Sequence, residues 1–262
     1  MSAPVEVRLR SVIVLAHPEP TSFNAQMADV ATRTLSEAEG DSADIIDLHR
    51  MGFDPVERGD HYRRRADSGR LDAQTEQRHA ADTDTLPRDV HAQLAAIEQA
   101  DLLILQYPMW WYGPPAMLKG WLDRVFVYGR TYTGRQRYDR GYFRGKRALL
   151  SVTTGGPEAT FQYNGRNGDI EHLLWPMQFS LYYVGFTVLA PFVAFGVEGG
   201  LKYSAADEMA RRLADYQRGY EAALRALDTR ATVRFNGWDD WDAEGRLKPG
   251  VAGYSPFMRT ER

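Results

Sequence analysis

The chain has 262 residues, a length that suits a single α/β unit with extensions. Its hydrophobic content of 44% and charged content of 26% are those of an ordinary globular protein, and its formal net charge of -3 gives no general attraction to nucleic acid or to anionic membranes. The sequence contains no cysteine, which excludes disulfides, thiolate catalysis and cysteine metal sites, so any redox chemistry requires a cofactor.

Apolar runs alternate with amphipathic segments along the first half of the chain. Residues 12–16 form a continuous β-branched run, typical of a parallel strand covered on both faces, and residues 43–48 form a weaker strand. Between them, apolar side chains at helical spacing predict a helix over 23–37. Residues 56–86 lack such a pattern, which predicts a surface excursion with a function or a partly ordered loop, and the arginines at 63–65 favour a solvated face over a phosphate site.

The second half continues this alternation. The predicted elements are helices over 89–99, 115–127, 170–184 and 204–227 and strands over 101–107, 147–153 and 186–195. Pro176 is expected to kink its helix, and Pro191 to interrupt the last strand and place it at a sheet edge. Five strands alternating with helices predict a doubly wound parallel α/β sheet within residues 1–228. Residues 229–262 fit no strand–helix unit, and their aromatic side chains predict an arm that packs on its own domain or on a partner subunit.

Loops at the ends of three strands carry the candidate chemistry, because ligands of an open α/β sheet bind at the carboxyl ends of its strands. The first loop contains His17, Thr21, Ser22 and Asn24 ahead of a helix. The first amides of that helix favour a phosphate or pyrophosphate, although a plain helix cap explains the residues equally well. The loop contains neither G-x-G-x-x-G nor G-x-x-x-x-G-K-[ST], which argues against a Rossmann or P-loop nucleotide site.

The second loop, residues 106–115, places Trp110, Trp111 and Tyr112 after the central strand. Their rings fit the floor of a flavin site, but this stretch alone favours core filling as strongly. The third loop, residues 153–156, offers two threonine hydroxyls and two glycine amides to the polar edge of an isoalloxazine, or else forms a simple tight turn. The three loops together make one coherent flavin site. No metal site is expected, because the six histidines lack ligand spacing.

At these loops the sequence resembles the flavodoxin-like NAD(P)H:quinone oxidoreductases, the DT-diaphorase family. The likeness extends over residues 12–191, and its matching stretches are 15–17 with 21–24, 106–108 with 111–113 and 118–121, 151–156, 168–169 with 174–176, and 185–186. A flavodoxin-like sheet has the order 2-1-3-4-5. The resemblance further implies a homodimer with FAD in each protomer and two active sites at the interface. There a hydride passes from NAD(P)H to flavin N5 and then to a quinone, in ping-pong fashion.

The resemblance also assigns roles to individual residues. The FAD phosphates would be held by His17, Thr21, Ser22, Phe23 and Asn24. The isoalloxazine would be lined by Pro108, Met109, Trp110, Trp111, Tyr112, Thr153, Thr154, Gly155 and Gly156. Tyr132 matches a substrate-pocket tyrosine that the family contributes across the dimer. The residue that usually accompanies this tyrosine two positions later is Gly134 here, so this wall of the substrate pocket should be more open. Tyr182 or Tyr183 matches a further pocket aromatic.

The largest departure from the family pattern follows the double glycine. The family places a tyrosine and a histidine there to stabilise the reduced flavin, whereas this chain has Phe161 and Asn167. The departure puts proton relay through these positions in question, although Tyr163 or Asn167 could donate a hydrogen bond. Direct hydride transfer requires no general base on the protein, so activity can survive the change. The residues expected to contribute to the reaction are Trp111, Tyr112, Tyr132, Gly155, Gly156, Phe161 and Asn167.

The sequence thus predicts an FAD-dependent NAD(P)H:quinone oxidoreductase. Its start lacks the apolar segment of a signal peptide and no apolar run reaches about 18 residues, so we expect a cytoplasmic protein. Two alternatives use the same flavin site. One is a flavin-binding regulatory subunit of a potassium efflux system, and the other is an FMN-dependent azo or nitro reductase, which the pattern over 111–112 and 118–121 disfavours.

Overall fold

The computed structural model describes residues 8–199 and 202–259, and within them a parallel β-sheet lies between two layers of helices. The strands are β1 (Arg10–Leu15), β2 (Ser42–Asp47), β3 (Leu102–Pro108), β4 (Arg147–Thr153), β5 (Thr187–Val188) and β6 (Phe192–Ala194). The helices are α1 (Phe23–Thr34), α2 (Ala73–Asp82), α3 (Arg88–Gln99), α4 (Ala116–Val125), α5 (Ile170–Tyr183) and α6 (Ala206–Arg225). The order β2-β1-β3-β4-β5 confirms the predicted doubly wound sheet.

The central strands are buried on both faces, as their continuous apolar runs predict. Alternate side chains of β3 enter two separate hydrophobic clusters: Leu103 and Leu105 pack with α3, α4 and α5, whereas Ile104 packs with α1 and α6. The register pairs Leu15 with Gln106 on β3, so the carboxyl ends of β1 and β3 lie level at one edge of the sheet. No described helix combines the length and the apolar character that a membrane crossing needs.

The last predicted strand is interrupted, as Pro191 required. β5 and β6 lie on either side of residues 189–191 and both pair with β4, so the sheet gains a sixth strand. The start of the C-terminal arm covers this edge: the Val233 N–H donates to Val188 O at 2.8 Å, and the Arg230 guanidinium donates to two carbonyls of the interruption. An edge covered in this way offers fewer free backbone groups to another chain.

The arm, described over residues 229–259, packs on α5 of its own chain. The Phe235 ring stacks on Tyr182 with centroids 4.4 Å apart and lies 4.9 Å from the Trp175 ring. The Tyr182 hydroxyl donates to Asn236 O at 3.0 Å, and the Asn236 side chain accepts the Tyr254 amide at 3.0 Å. The chain's own helix therefore covers this part of the arm's aromatic surface.

Residues 56–86, for which the sequence predicted no regular structure, are organised around α2. Glu76 on this helix is 1% exposed, and its carboxylate accepts Arg65 Nε at 2.8 Å and the Ala66 and Asp67 amides at 2.8 and 3.3 Å. Burial on its own would raise the pKa of Glu76, but these donors hold the pKa below its ordinary value of 4.5. One arginine of the run is therefore a structural partner and not part of a solvated face.

We expect Glu76→Gln to lower the free energy of unfolding by about 2 kcal/mol at neutral pH, because it removes the charge from a buried cluster of donors. A carboxyl whose folded-state pKa is depressed adds stability above its unfolded pKa, and this is lost as the pH falls through the folded-state pKa. The difference in free energy of unfolding between the native protein and Glu76→Gln, measured by urea unfolding, should therefore narrow below pH 4.5. The exposed Glu39→Gln is the control, and an equal effect of both substitutions would contradict the assignment.

Candidate functional site

The aromatic loop at the end of β3 is a tight two-residue turn. Trp110 and Gly113 exchange backbone hydrogen bonds of 2.9 and 3.1 Å, and the central residues Trp111 and Tyr112 have φ angles of 50° and 62°. Such left-handed conformations cost about 1–2 kcal/mol for each residue with a side chain. Trp111 is nevertheless 97% exposed and Tyr112 54% exposed. Core filling is thereby excluded for these two rings, because a strained backbone holds them in solvent.

Three further predicted residues connect this loop to its neighbours. Pro108 is the buried last residue of β3, and the Met109 N–H donates to Thr153 O at 2.8 Å. The Trp110 ring lies 5.8 Å from the His17 ring, and 44% of Trp110 is exposed. The aromatic loop therefore contacts both the loop after β1 and the loop after β4.

The loop after β1 delivers backbone donors at the start of α1. Ser22 caps the helix, and the amides of Phe23 and Asn24 have no acceptor among the described residues. The Phe23 side chain itself is buried. Burial lowers the pKa of His17, whose Nδ1 accepts the Glu19 amide at 3.1 Å, so the neutral ring keeps Nε2–H as a donor. These donors suit a phosphate.

Thr21 is held by a carboxylate in this structure. Glu19 Oε1 accepts the Thr21 hydroxyl at 2.7 Å and the Thr21 amide at 2.9 Å. These two hydrogen bonds lower the pKa of Glu19, which keeps its side chain ionised at neutral pH. A phosphate at Thr21 therefore requires the Glu19 side chain to turn away, and its exposed position permits that movement.

Asn24 lies beneath the loops and ties them together. It is 3% exposed, its Nδ2 donates to Thr153 Oγ1 at 3.0 Å, and its Oδ1 accepts Gln106 Nε2 at 2.9 Å. This chain of hydrogen bonds joins α1 to the ends of β3 and β4, so it sets the spacing of all three loops. Gln106 is a positioning residue that the sequence analysis used only as part of a motif. Its signal in the sequence is a single polar amide in an otherwise apolar strand, and the structure buries that amide completely.

The loop after β4 presents two glycine amides. The Thr154 side chain is buried, and its hydroxyl donates to Gly156 O at 3.0 Å. The amides of Gly155 and Gly156 have no acceptor within the part of the chain that the structure describes. A Cβ added to Gly155 would meet only Val197 O at 3.9 Å, so the space beside this glycine is open to a ligand.

Phe161 and Asn167 lie beside Gly156. A Cβ added to Gly156 would lie 3.0 Å from the Phe161 ring and 3.1 Å from Asn167 Nδ2. Phe161 has no proton to donate and is 6% exposed, while Asn167 Nδ2 already donates to Thr160 Oγ1 at 2.9 Å. Tyr163 is 84% exposed. Phe161 therefore offers no proton donor next to the double glycine, whereas Asn167 keeps the second N–H of its Nδ2.

A cavity of about 780 Å³ opens beside the aromatic loop, a volume that suits a planar ligand. Tyr112 lines it, as do Tyr132 and Tyr183, whose ring centroids are 5.7 Å apart. A Cβ at Gly134 would meet no atom within 4 Å, but Gly134 is not part of the cavity lining. One chain thus brings Tyr112 and Tyr132 to the same cavity. Its lining does not include the other predicted residues Trp111, Gly155, Gly156, Phe161 and Asn167.

Gln77 of α2 supports the wall that carries Tyr132. It is 5% exposed, its Nε2 donates to Asp123 O at 3.0 Å and to Glu57 Oε2 at 3.1 Å, and its Oε1 accepts the Tyr128 amide at 2.9 Å. The excursion over 56–86 therefore forms part of the cavity. The local sequence carried no signal for this role, because the Gln77–Tyr128 contact spans 51 residues.

The sheet order and the three loops at its carboxyl edge define a flavodoxin-like α/β protein. The family model described as flavodoxin-like fold matches residues 10–218. NAD(P)H dehydrogenase [quinone] 1 of Cavia porcellus is 40% identical over 190 residues, which cover 72% of this chain and 69% of that protein. The chain belongs to the flavodoxin-like NAD(P)H:quinone oxidoreductase family, which confirms the resemblance.

Two further relatives frame the comparison. The crystal structure of a candidate quinone reductase from Klebsiella pneumoniae is similar with a TM-score of 0.84 at 30% identity, and the match covers 94% of this chain and 96% of that chain. The glutathione-regulated potassium-efflux system ancillary protein KefF of Enterobacter sp. (strain 638) is 37% identical over 132 residues, covering 49% of this chain and 72% of that protein. The likeness to the ancillary protein therefore extends over a smaller part of the chain.

Proposed function

We propose that this chain is a cytoplasmic, homodimeric NAD(P)H:quinone oxidoreductase that uses FAD. The observation that carries the proposal is the strained and exposed pair Trp111 and Tyr112, which presents flat aromatic surface between a helix N-terminus and two free glycine amides. The printed activity of the Cavia porcellus relative, a quinone-reducing NAD(P)H dehydrogenase, supports the same assignment.

The donor groups of the three loops fit the parts of a flavin. The amides of Phe23 and Asn24 suit its phosphate, the Trp111 ring suits its tricyclic surface, and the amides of Gly155 and Gly156 suit its polar edge. A bound flavin would supply two-electron transfer between NAD(P)H and a quinone, while the chain supplies binding and orientation.

The cavity beside the aromatic loop suits the acceptor. Its walls at Tyr112, Tyr132 and Tyr183 offer ring surface to a planar molecule. Burial raises the pKa of Tyr132, so its hydroxyl stays protonated and can donate a hydrogen bond to a quinone carbonyl. Because NAD(P)H and the quinone would occupy this cavity in turn, we expect ping-pong kinetics, with parallel lines in double-reciprocal plots.

Sedimentation equilibrium of the purified protein tests whether it is a homodimer.

Reconstitution with FAD and with FMN, followed by steady-state reduction of a benzoquinone with NADH or NADPH, tests the proposal. Stoichiometric FAD binding with quinone turnover supports it. Bound flavin with negligible turnover would favour a regulatory subunit like the potassium-efflux relative, and a preference for FMN with azo or nitro reduction would favour the third alternative. A protein that binds neither flavin overturns the assignment.

Gly155→Ala should weaken FAD binding about tenfold without destabilising the fold. Within the protein the added methyl group meets only Val197 O at 3.9 Å, but it occupies the open side from which a ligand would approach the amide. Isothermal titration calorimetry of the apoprotein measures the affinity. Gly199→Ala, where no atom lies within 4 Å, is the matched control. Unchanged FAD affinity in Gly155→Ala would remove this glycine from the site.

A further inference from the structure

A second cavity lies between the C-terminal arm and the segment that precedes β4. Its volume is about 480 Å³, within the range of small-molecule sites. Four aromatic side chains and one arginine dominate its lining: Tyr138, Phe179, Trp238, Trp241 and Arg137. None of the residues of the three flavin loops lines it. This cavity is therefore distinct from the flavin loops, and it adjoins the cavity beside the aromatic loop, which Phe179 also lines.

Arg137 lies against aromatic rings in this cavity. Its Cζ is 5.3 Å from the centroid of Tyr138, 5.3 Å from that of Trp238 and 5.9 Å from that of Tyr183. Its Nη1 donates to the Tyr183 hydroxyl at 3.3 Å, while its Nε is buried and has no acceptor among the described residues. The rings orient the guanidinium and remove part of its hydration, which strengthens its attraction to an anion.

No carboxylate forms an ion pair with Arg137 in residues 8–199 and 202–259, although acids lie close by. Arg140 lies over the same Trp238 ring at 5.3 Å but is paired with Asp239 at 2.8 Å. Asp139 accepts the Trp238 amide at 2.8 Å. Of the two arginines on Trp238, Arg140 is therefore paired with a carboxylate, whereas the charge of Arg137 is available to bind an anion.

The walls of the cavity are constrained. Tyr138 has a left-handed φ of 59°, and its ring packs on Tyr182 at 5.9 Å and on Tyr183 at 5.3 Å. Asp242, an acid that lines the cavity, has its Oδ1 occupied by the amide of Glu244 at 3.0 Å and by that of Arg246 at 2.8 Å. The acid is thus held to its own loop, while the aromatic wall is fixed in place.

We propose that this cavity binds a planar aromatic anion, an aryl carboxylate or sulfonate, with its ring against Trp238 and its anionic group on Arg137. The guanidinium lies within 5.9 Å of three ring centroids. If the ligand ring lies on Trp238, whose centroid is 5.3 Å from the Arg137 Cζ, an anionic group that reaches the guanidinium must be attached to the ligand ring itself or one bond away. Charge-assisted hydrogen bonds from a guanidinium to such a group are among the strongest that a side chain makes.

Binding of 2-naphthoate and of neutral 2-naphthamide to the purified full chain, measured by calorimetry, tests the site without reference to flavin or turnover. The two probes share one shape and differ in charge. We expect the carboxylate to bind about tenfold more tightly than the amide, and Arg137→Gln to abolish this difference. Arg140→Gln should leave it intact, because that arginine is already paired.

Two further variants locate the binding. Arg137→Lys should keep part of the preference for the carboxylate, and Trp238→Leu should weaken both probes, with thermal melting as the check on folding. Equal affinity for the two probes in the native chain overturns the proposal. So does a preference that survives Arg137→Gln, or one that is lost equally in Arg137→Gln and Arg140→Gln.

Discussion

Trp111→Ala should lower kcat/KM for quinone reduction by about 10- to 100-fold while the melting temperature stays nearly unchanged. The side chain is 97% exposed, so truncation removes almost no packing from the folded protein. Contact of its ring with a planar ligand would contribute about 1.5–3 kcal/mol, and the same amount appears in the rate. Steady-state kinetics with a benzoquinone and differential scanning calorimetry provide the two measurements.

Two companions sharpen the comparison for Trp111. Tyr203→Ala truncates another aromatic that is 83% exposed and has no predicted role in the flavin site, and it should change neither quantity. Trp111→Gly should lose the same activity and gain stability, because glycine adopts the φ of 50° without strain. If Trp111→Ala lost activity and stability to the same extent, the ring would contribute to packing and not to ligand contact.

The strands that support the site were predictable because both of their faces are buried. Continuous apolar runs predicted β1, β3 and β4, and parallel pairing then placed their carboxyl ends at one edge. The aromatic loop was predictable in position but not in role. Whether Trp111 is core filler or a ligand surface depends on a turn with two left-handed residues, and no periodicity signals such a turn.

Contacts between residues far apart in the sequence could not be predicted from local patterns. The Asn24–Thr153 hydrogen bond spans 129 residues, so the local pattern predicted a phosphate contact for Asn24 but not the buried hydrogen bond of its side chain. Glu76 is a second case, because the segment before its helix is attached to it by a buried ion pair with Arg65, and no apolar stripe in the sequence signals that contact. Helix ends also differ: α1 ends at Thr34, three residues before the predicted end, because Leu35 has a non-helical ψ of 0° and the Ser36 amide then donates to Arg33 O in a turn.

Asn24→Leu should lower the free energy of unfolding by about 4 kcal/mol and weaken FAD binding as well. The substitution leaves Gln106 Nε2 and the Thr153 hydroxyl buried without the partners that they have at 2.9 and 3.0 Å. The Gln106 Oε1 already lacks a partner, so the whole amide would be unsatisfied. Urea unfolding of the apoprotein and calorimetry with FAD measure the two effects.

The double variant Asn24→Leu with Gln106→Leu separates stability from positioning. Replacing both partners of a buried hydrogen bond by apolar groups of similar shape removes the unsatisfied amide, so the double variant should be more stable than Asn24→Leu alone. Its FAD affinity should nevertheless stay low, because no hydrogen bond then sets the distance between α1 and the end of β3. Recovery of FAD affinity together with stability would show that Asn24 supports the fold without positioning the loops.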